Sequence, residues 1–325
     1  MSVNVPDRTR APANLPAGAP SGPVRPRRAR LVRLRRGLTN LAQAVPFLVP
    51  KAVVFGLFVL APFAYTVVLT FQRGSLLSGL TFAGLENYRT VFTDDLFRQT
   101  LMNTALFMLI CVPLTIVVTM LVGLLLSSSI RGMSAYRTLI YLPSLLSVVA
   151  TGLIWKIMVD SEYGPLNALF SRLLGIDVPW LTDGTVAMVF LALITLWSTC
   201  GFYSIIFMAG FNNIPTTVLE AARIDGASGW RLFTAIKLPL VRPVLQLVLI
   251  LVTINSIQVF DLVFVLTNGG PGTATYTALW YIYQSAFNGG SLSYAATMSI
   301  ILLLVTAVIS AVFIGRTRSD GADYE

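Results

Sequence analysis

The chain alternates between long apolar runs without charge and short segments that hold nearly all of its ionic residues. Six runs are long enough to cross a bilayer: 52–71, 104–126, 139–158, 185–209, 244–267 and 294–315. About 18 to 20 consecutive apolar residues, wound as a helix, span the hydrocarbon core. A buried helix of a soluble protein is seldom longer and keeps one polar face, whereas these runs are apolar nearly all round. The pattern predicts an all-α integral membrane protein with six transmembrane helices.

Composition agrees, with 55% apolar residues, 11% charged residues and a mean hydropathy of +0.77; soluble domains carry roughly 25% charge. A net charge of +9 would suit a nucleic-acid binder, but Lys and Arg are placed as membrane topology requires. With the N-terminal segment in the cytoplasm, 18 of the 23 fall inside; Arg73, Arg89, Arg98 and Arg172 fall outside and Lys156 ends the third span. The positive-inside rule therefore predicts both termini cytoplasmic, as an even number of spans demands. No nucleic-acid partner is implied.

Residues 1–45 are rich in Pro, Ala and Arg, with a basic cluster between Arg25 and Arg36 and no compact apolar core. They read as a disordered cytoplasmic tail that sets topology, with contact to anionic membrane lipid as the alternative role. No cleavable signal pattern precedes the first span, which is expected to stay as an anchor. A transmembrane domain follows over 46–317 and a short cytoplasmic tail over 318–325. Cys111 and Cys200 fall within predicted spans and read as free buried thiols.

Several chemistries lack their residues. Histidine is absent, which removes imidazole catalysis and the commonest metal ligand. None of the lysines, Lys51, Lys156 and Lys237, stands in the Gly-Lys-Ser/Thr context of a phosphate-cradling loop. Asp94 and Asp95 read as ordinary solvated charges of the first outer loop, and Asp261 is the one acid within a predicted span. Intramembrane enzymes and ion-driven transporters rely on buried ionisable groups, and secondary transporters add internal repeats and interrupted helices. Neither signature is evident. The chain reads as a non-enzymatic protein without a cofactor of its own, powered from outside.

Segment 210–242 carries the most information. Glu220, Arg223, Asp225, Arg231 and Lys237 keep it out of the bilayer, because Asp, Lys and Arg each cost about 2.5–3.5 kcal/mol at mid-span. Thr217 and Glu220 have the spacing of a capping box. Val218, Leu219, Ala222 and Ile224 then make a short amphipathic helix, and Asp225-Gly226 supplies a left-handed stop. Ser228 suits the cap of a second helix running to Leu238-Pro239, where the chain is expected to turn back into the membrane. Small residues at Ala221, Ala222, Gly226 and Ala227 permit close approach by a partner. On these grounds alone, a docking element for a soluble protein and an amphipathic helix lying on lipid fit equally.

Glu220-Ala221-Ala222 followed by Gly226, Ile236 and Leu238-Pro239 resembles, at every spacing, the EAA motif of binding-protein-dependent ABC importer permeases. Asp225-Gly226-Ala227 with Trp230 and Phe233 is similar to the sugar-transport branch of that family. Gly84-Leu85-Glu86-Asn87-Tyr88, Tyr136-Arg137, Leu142-Pro143, Trp155, the Leu-Thr-Asn-Gly-Gly-Pro run ending at Pro271, and Tyr281-Ile282-Tyr283 extend the resemblance over 46–315. It implies a type I importer permease fold in a bacterial plasma membrane. It also implies a second permease subunit, two separate ATPase subunits that carry ATP and Mg, and an extracytoplasmic binding protein that delivers a sugar. Coupling to the ATPase would run through Thr217, Glu220, Ala221, Ala222, Asp225, Gly226, Ala227, Ile236, Leu238 and Pro239.

The same resemblance puts sugar-lining positions at Ser198, Thr199 and Phe202 in the fourth span and at Asn255, Ser256 and Val259 in the fifth. Hydroxyls and amides beside an aromatic plane suit a neutral sugar, while helix–helix bonding is the competing role for the same side chains. Ser198 and Val259 differ in type from the maltose permease, so the same sugar does not carry over. A glycerol phosphoester is the alternative cargo, and it would favour Lys or Arg in the lining, which has none. Asp261 reads as an outer-end acid reached by water rather than a gate. The uncharged loop 268–293 reads as either a binding-protein contact or a lid.

Overall fold

The computed structural model describes Pro46 and residues 48–75 and 79–321; the predicted tail over 1–45 lies outside them. The chain divides into two units, Met1–Phe63 and Ala64–Glu325. The described part of the first opens helix α1 (Leu48–Thr70). The second continues through a hairpin of β1 (Gln72–Ser75) and β2 (Gly79–Phe82), with Gln72 opposite Phe82. There follow α2 (Glu86–Thr93), α3 (Asp95–Leu126), α4 (Met133–Tyr141), α5 (Val148–Met158) and α6 (Pro165–Leu174). The chain ends with α7 (Gly184–Asn212), α8 (Thr216–Ile224), α9 (Gly229–Ile257), α10 (Ala278–Tyr283) and α11 (Leu292–Gly321).

Among the described residues, α1, α3, α7, α9 and the Leu292–Phe313 part of α11 are each long and apolar enough to cross a membrane. The third predicted span, 139–158, is not one helix. It is α4 with a 3-10 turn at Leu142–Leu145, followed by α5 at 94° to it. Pro143 lacks an N–H to continue the ladder, and Leu146 and Ser147 are extended. A helix interruption therefore does exist, so its apparent absence from the sequence does not count against a secondary transporter. The fifth span also differs from 244–267: α9 begins before it and stops at Ile257, and a separate turn, Val263–Thr267, follows. Helix α11 continues past 317 to Gly321, so that domain boundary is not a break in secondary structure.

Helices α3 and α7 form the spine. A Cβ on Gly123 would lie 2.6 Å from Phe207 Cβ and 2.8 Å from the Ser204 carbonyl, so only glycine lets the two helices come this close. Gly201 does the same for the broken span: its Cβ would meet the Ile140 carbonyl at 2.4 Å. Several buried hydroxyls bond within their own helices, as Thr104 does to the Thr100 carbonyl (2.8 Å) and Thr119 to that of Thr115 (2.6 Å); hydrocarbon offers them no water. One core cluster, with Phe207, Phe211, Ile214 and Phe233, adjoins the α7–α9 connection. Another, with Met188, Phe190, Val263 and Trp280, packs at the end where residues 268–291 lie.

Candidate coupling loop and translocation face

The α7–α9 connection is held by backbone geometry. Gly226 has φ +83°, the Ala227 N–H donates to the Ala222 carbonyl (2.9 Å), and the Gly226 N–H donates to that of Arg223 (3.0 Å). These two bonds form a Schellman stop, as Asp225-Gly226 predicts. The capping box does not form. Helix α8 starts at Thr216 with Pro215 as its N-cap and no side-chain cap bond, which leaves Thr217 inside the first turn. Ser228 stands at the N-cap of α9, but its side chain makes no cap bond. Nor does the chain turn at Pro239. A π turn at Phe233–Lys237 carries the helix into the span, closing with the Leu238 N–H on the Phe233 carbonyl; this wider turn accommodates a proline that cannot donate.

Thr217, Ala221, Ala222, Asp225, Ala227 and Ile236 come together around an open groove of about 530 Å³ that Arg231 also lines. Glu220, Gly226, Leu238 and Pro239 are not part of that lining. Glu220 is exposed on α8. Ile224 (86% exposed) and Trp230 (74%) project from the two helices, large apolar side chains left open at a tight corner.

The six predicted lining residues separate into three pairs. Phe202 and Asn255 are open, and Asn255 Nδ2 donates to the Tyr203 hydroxyl (2.6 Å), whose ring lies 5.3 Å from that of Phe202. Ser198 and Thr199 are half-buried, and both hydroxyls are engaged by the Thr195 carbonyl. Ser256 and Val259 are turned into the subunit's own core, with the Ser256 hydroxyl bonded to the Val252 carbonyl (2.8 Å). The break after Ile257 accounts for Val259: helical phase from the fifth span no longer applies there. Asp261 is exposed at the start of the short turn that follows.

Asp94 is not an ordinary solvated charge. Its Oδ1 accepts the Leu96 (2.8 Å) and Phe97 (3.1 Å) N–H groups and caps α3, while Oδ2 accepts the hydroxyls of Tyr281 (2.8 Å) and Tyr294. Partial burial raises its pKa, but the bonds from Tyr294, Tyr281, Phe97 and Leu96 together outweigh this and hold it below the usual carboxylate value. Burial, then the bond to Asp94, push the Tyr281 hydroxyl up to about 12. The stretch 268–291 is likewise folded onto the helices. Asn103 Nδ2 donates to the Thr273 (2.9 Å) and Tyr276 (3.0 Å) carbonyls, Thr277 bonds the Val259 carbonyl, and the Ala278 N–H donates to the Thr104 hydroxyl. Two motif residues prove to be caps. Asn87 donates to the Thr70 (2.9 Å) and Gln72 (2.7 Å) carbonyls, and Arg137 Nη2 to the Leu126 carbonyl (2.8 Å).

Several helices long and apolar enough to cross a membrane, with one bent pair among them, mark the class as a multi-pass membrane protein. The family of binding-protein-dependent transport system inner membrane components matches residues 135–319, and the chain belongs to it. It is therefore a permease component of an ABC transporter rather than an enzyme. It is 33% identical over 278 residues to the sulfoquinovosyl glycerol transport system permease protein SmoG of Agrobacterium fabrum, covering 85% of this chain and 90% of that one. It is also 33% identical over 269 residues to the lactose transport system permease protein LacF of Rhizobium radiobacter, covering 81% and 90%. A crystal structure of a bacterial alginate ABC transporter in complex with alginate pentasaccharide-bound periplasmic protein shares the fold, with a TM-score of 0.79 at 21% identity, covering 88% of this chain and 98% of that one.

Proposed function

We propose that this permease forms half of the translocation path of a carbohydrate importer and is driven by a separate ATPase that grips the 210–242 connection. In this reading both termini and that connection are cytoplasmic, and the membrane is a bacterial plasma membrane. A second permease completes the path, two ATPase subunits carry ATP and Mg, and an extracytoplasmic binding protein delivers the sugar. The observation that carries the coupling role is the Schellman-stopped α8 joined at a fixed corner to α9, a helix long and apolar enough to cross the membrane. A push on α8 is thereby a push on a transmembrane helix. Glu220, exposed and without a described partner, offers its charge to a basic group of the ATPase.

Cargo of this class is supported by the names of the relatives and by the open side chains of Phe202 and Asn255, which offer an aromatic plane and an amide held in place by the buried Tyr203 hydroxyl. A neutral polyhydroxylated molecule exchanges water hydrogen bonds for protein ones at little net loss. An ion buried there without a counter-charge would lose several kcal/mol, on the order of its desolvation penalty. The test is a thermal-shift screen of the partner binding protein. Stabilisation by neutral mono- or oligosaccharides is expected; stabilisation by phosphorylated or other charged ligands alone contradicts the neutral-sugar reading.

A further inference from the structure

From Asn255 onward, open positions recur at every third residue. Asn255, Gln258, Asp261 and Phe264 are exposed, whereas Ser256, Val259, Leu262, Val263 and Leu266 are buried. The exposed strip is thus mainly polar. Elsewhere on the bundle, exposed strips are apolar, as with Leu106, Leu109, Val117 and Leu121 on α3 and Leu304, Val308 and Val312 on α11. Hydrocarbon tolerates the second kind of surface and penalises the first, since an unpaired carboxylate or amide there has nothing to bond. Neither the Gln258 nor the Asp261 side chain is hydrogen-bonded within the described residues, so their partners come from outside this chain: water, cargo or the second permease.

Phe264 adds an independent feature. It is 43% exposed and stacked on Phe260 at 5.6 Å, with Tyr283 edge-on at 5.8 Å. Tyr283 in turn contacts Phe287 at 5.0 Å, and Phe287 is 72% exposed. An aromatic array therefore runs from residues 268–291 down to the polar strip, and Asn255 with Tyr203 and Phe202 repeats the same pairing of amide and aromatic further along. We infer that Gln258, Asp261 and Phe264 line a water-filled vestibule of the translocation path, where amide and carboxylate meet sugar hydroxyls, the phenyl ring offers a stacking face, and Asp261 disfavours anionic cargo. This assignment rests on the carbohydrate-importer reading and extends it to residues outside the predicted lining.

The test uses thiol labelling in membrane vesicles that hold the chain with its partner subunits, on a Cys111→Ala/Cys200→Ala background. The probes are a cationic (trimethylammonium-ethyl) and an anionic (sulfonatoethyl) methanethiosulfonate. Gln258→Cys and Phe264→Cys should react at least about tenfold faster than Leu109→Cys and Val308→Cys, which face lipid. At Phe264→Cys the cation-to-anion rate ratio should fall about tenfold when Asp261→Asn is added, the change expected for one charge a few ångströms away in water. Reaction at 258 and 264 as slow as at 109 and 308 would overturn the vestibule, and an unchanged ratio in Asp261→Asn would overturn the charge selection. Neither readout needs sugar or ATP. Failure of the carbohydrate reading appears elsewhere, as a binding protein that ignores sugars, and is scored separately.

Discussion

Asp94 shows what a single side chain contributes and how little of that is visible in sequence. An acid just before a helix is a legible N-cap signal, and its bonds to the Leu96 and Phe97 N–H groups follow from it. Its bonds to Tyr281 and Tyr294 do not, because those residues lie nearly 200 positions away. Together they tie α3, α10 and α11 at one point. Asp94→Ala should lower the stability of the purified protein by about 2 kcal/mol, combining a lost cap with two hydroxyls left to find water. The pH dependence has a definite sign. Because the folded-state pKa is depressed, the contribution is fully present above the unfolded carboxylate value of about 3.9 and is lost as pH falls through the folded value. Acid unfolding of the wild type, followed by melting temperature, should therefore steepen below about pH 4, and Asp94→Ala should remove that component. Identical acid profiles for the two proteins would contradict the assignment.

At the scale of elements, composition and backbone bonding carry different information. Hydropathy finds 139–158 because the run is apolar, yet it is blind to the loss of helical bonds at Pro143 that turns the chain by 94°. The end of α9 is harder still, since Gln258, Val259 and Phe260 include neither Gly nor Pro. The break is held from outside, by Thr277 bonding the Val259 carbonyl at 3.0 Å. The stop at Gly226, by contrast, is fully local and was readable from Asp225-Gly226. Two glycines illustrate the difference in measurable form. No atom lies within 4 Å of a Cβ built on Gly226, so Gly226→Ala carries only the left-handed backbone cost, about 1–2 kcal/mol. At Gly201 the added carbon meets backbone at 2.4 and 2.5 Å, and Gly201→Ala should cost more, roughly 1–3 kcal/mol of overpacking with displacement of the bent crossing. Melting curves of the detergent-solubilised protein check both; a Gly201→Ala protein as stable as wild type would contradict the packing described.

For the whole molecule, membrane class and family were legible because charge placement and one long motif are properties of the chain alone. The proposed translocation face was not, since which residues stay open depends on the phase shift after Ile257 and on partners far away in sequence. That is why Asn255 and Phe202 stand on an open face while Ser256 and Val259 do not. The proposed orientation, with both termini cytoplasmic, rests on the positive-inside asymmetry. In intact cells, cysteines at Ser21, Ser228 and Ser319 should resist a membrane-impermeant thiol reagent, and one at Ser291 should react. Labelling at position 228 from outside would reverse the topology. The central claim is that force enters through the α7–α9 connection, and it is tested most directly by ATP hydrolysis of the reconstituted complex. With sugar-loaded binding protein present, the wild-type complex should show stimulated hydrolysis, the purified chain alone should show none, and Glu220→Lys should lose at least about tenfold of the stimulation, the effect of some 1.4 kcal/mol or more at the docking surface, while remaining inserted in the membrane. Full stimulation in Glu220→Lys would contradict coupling through this loop.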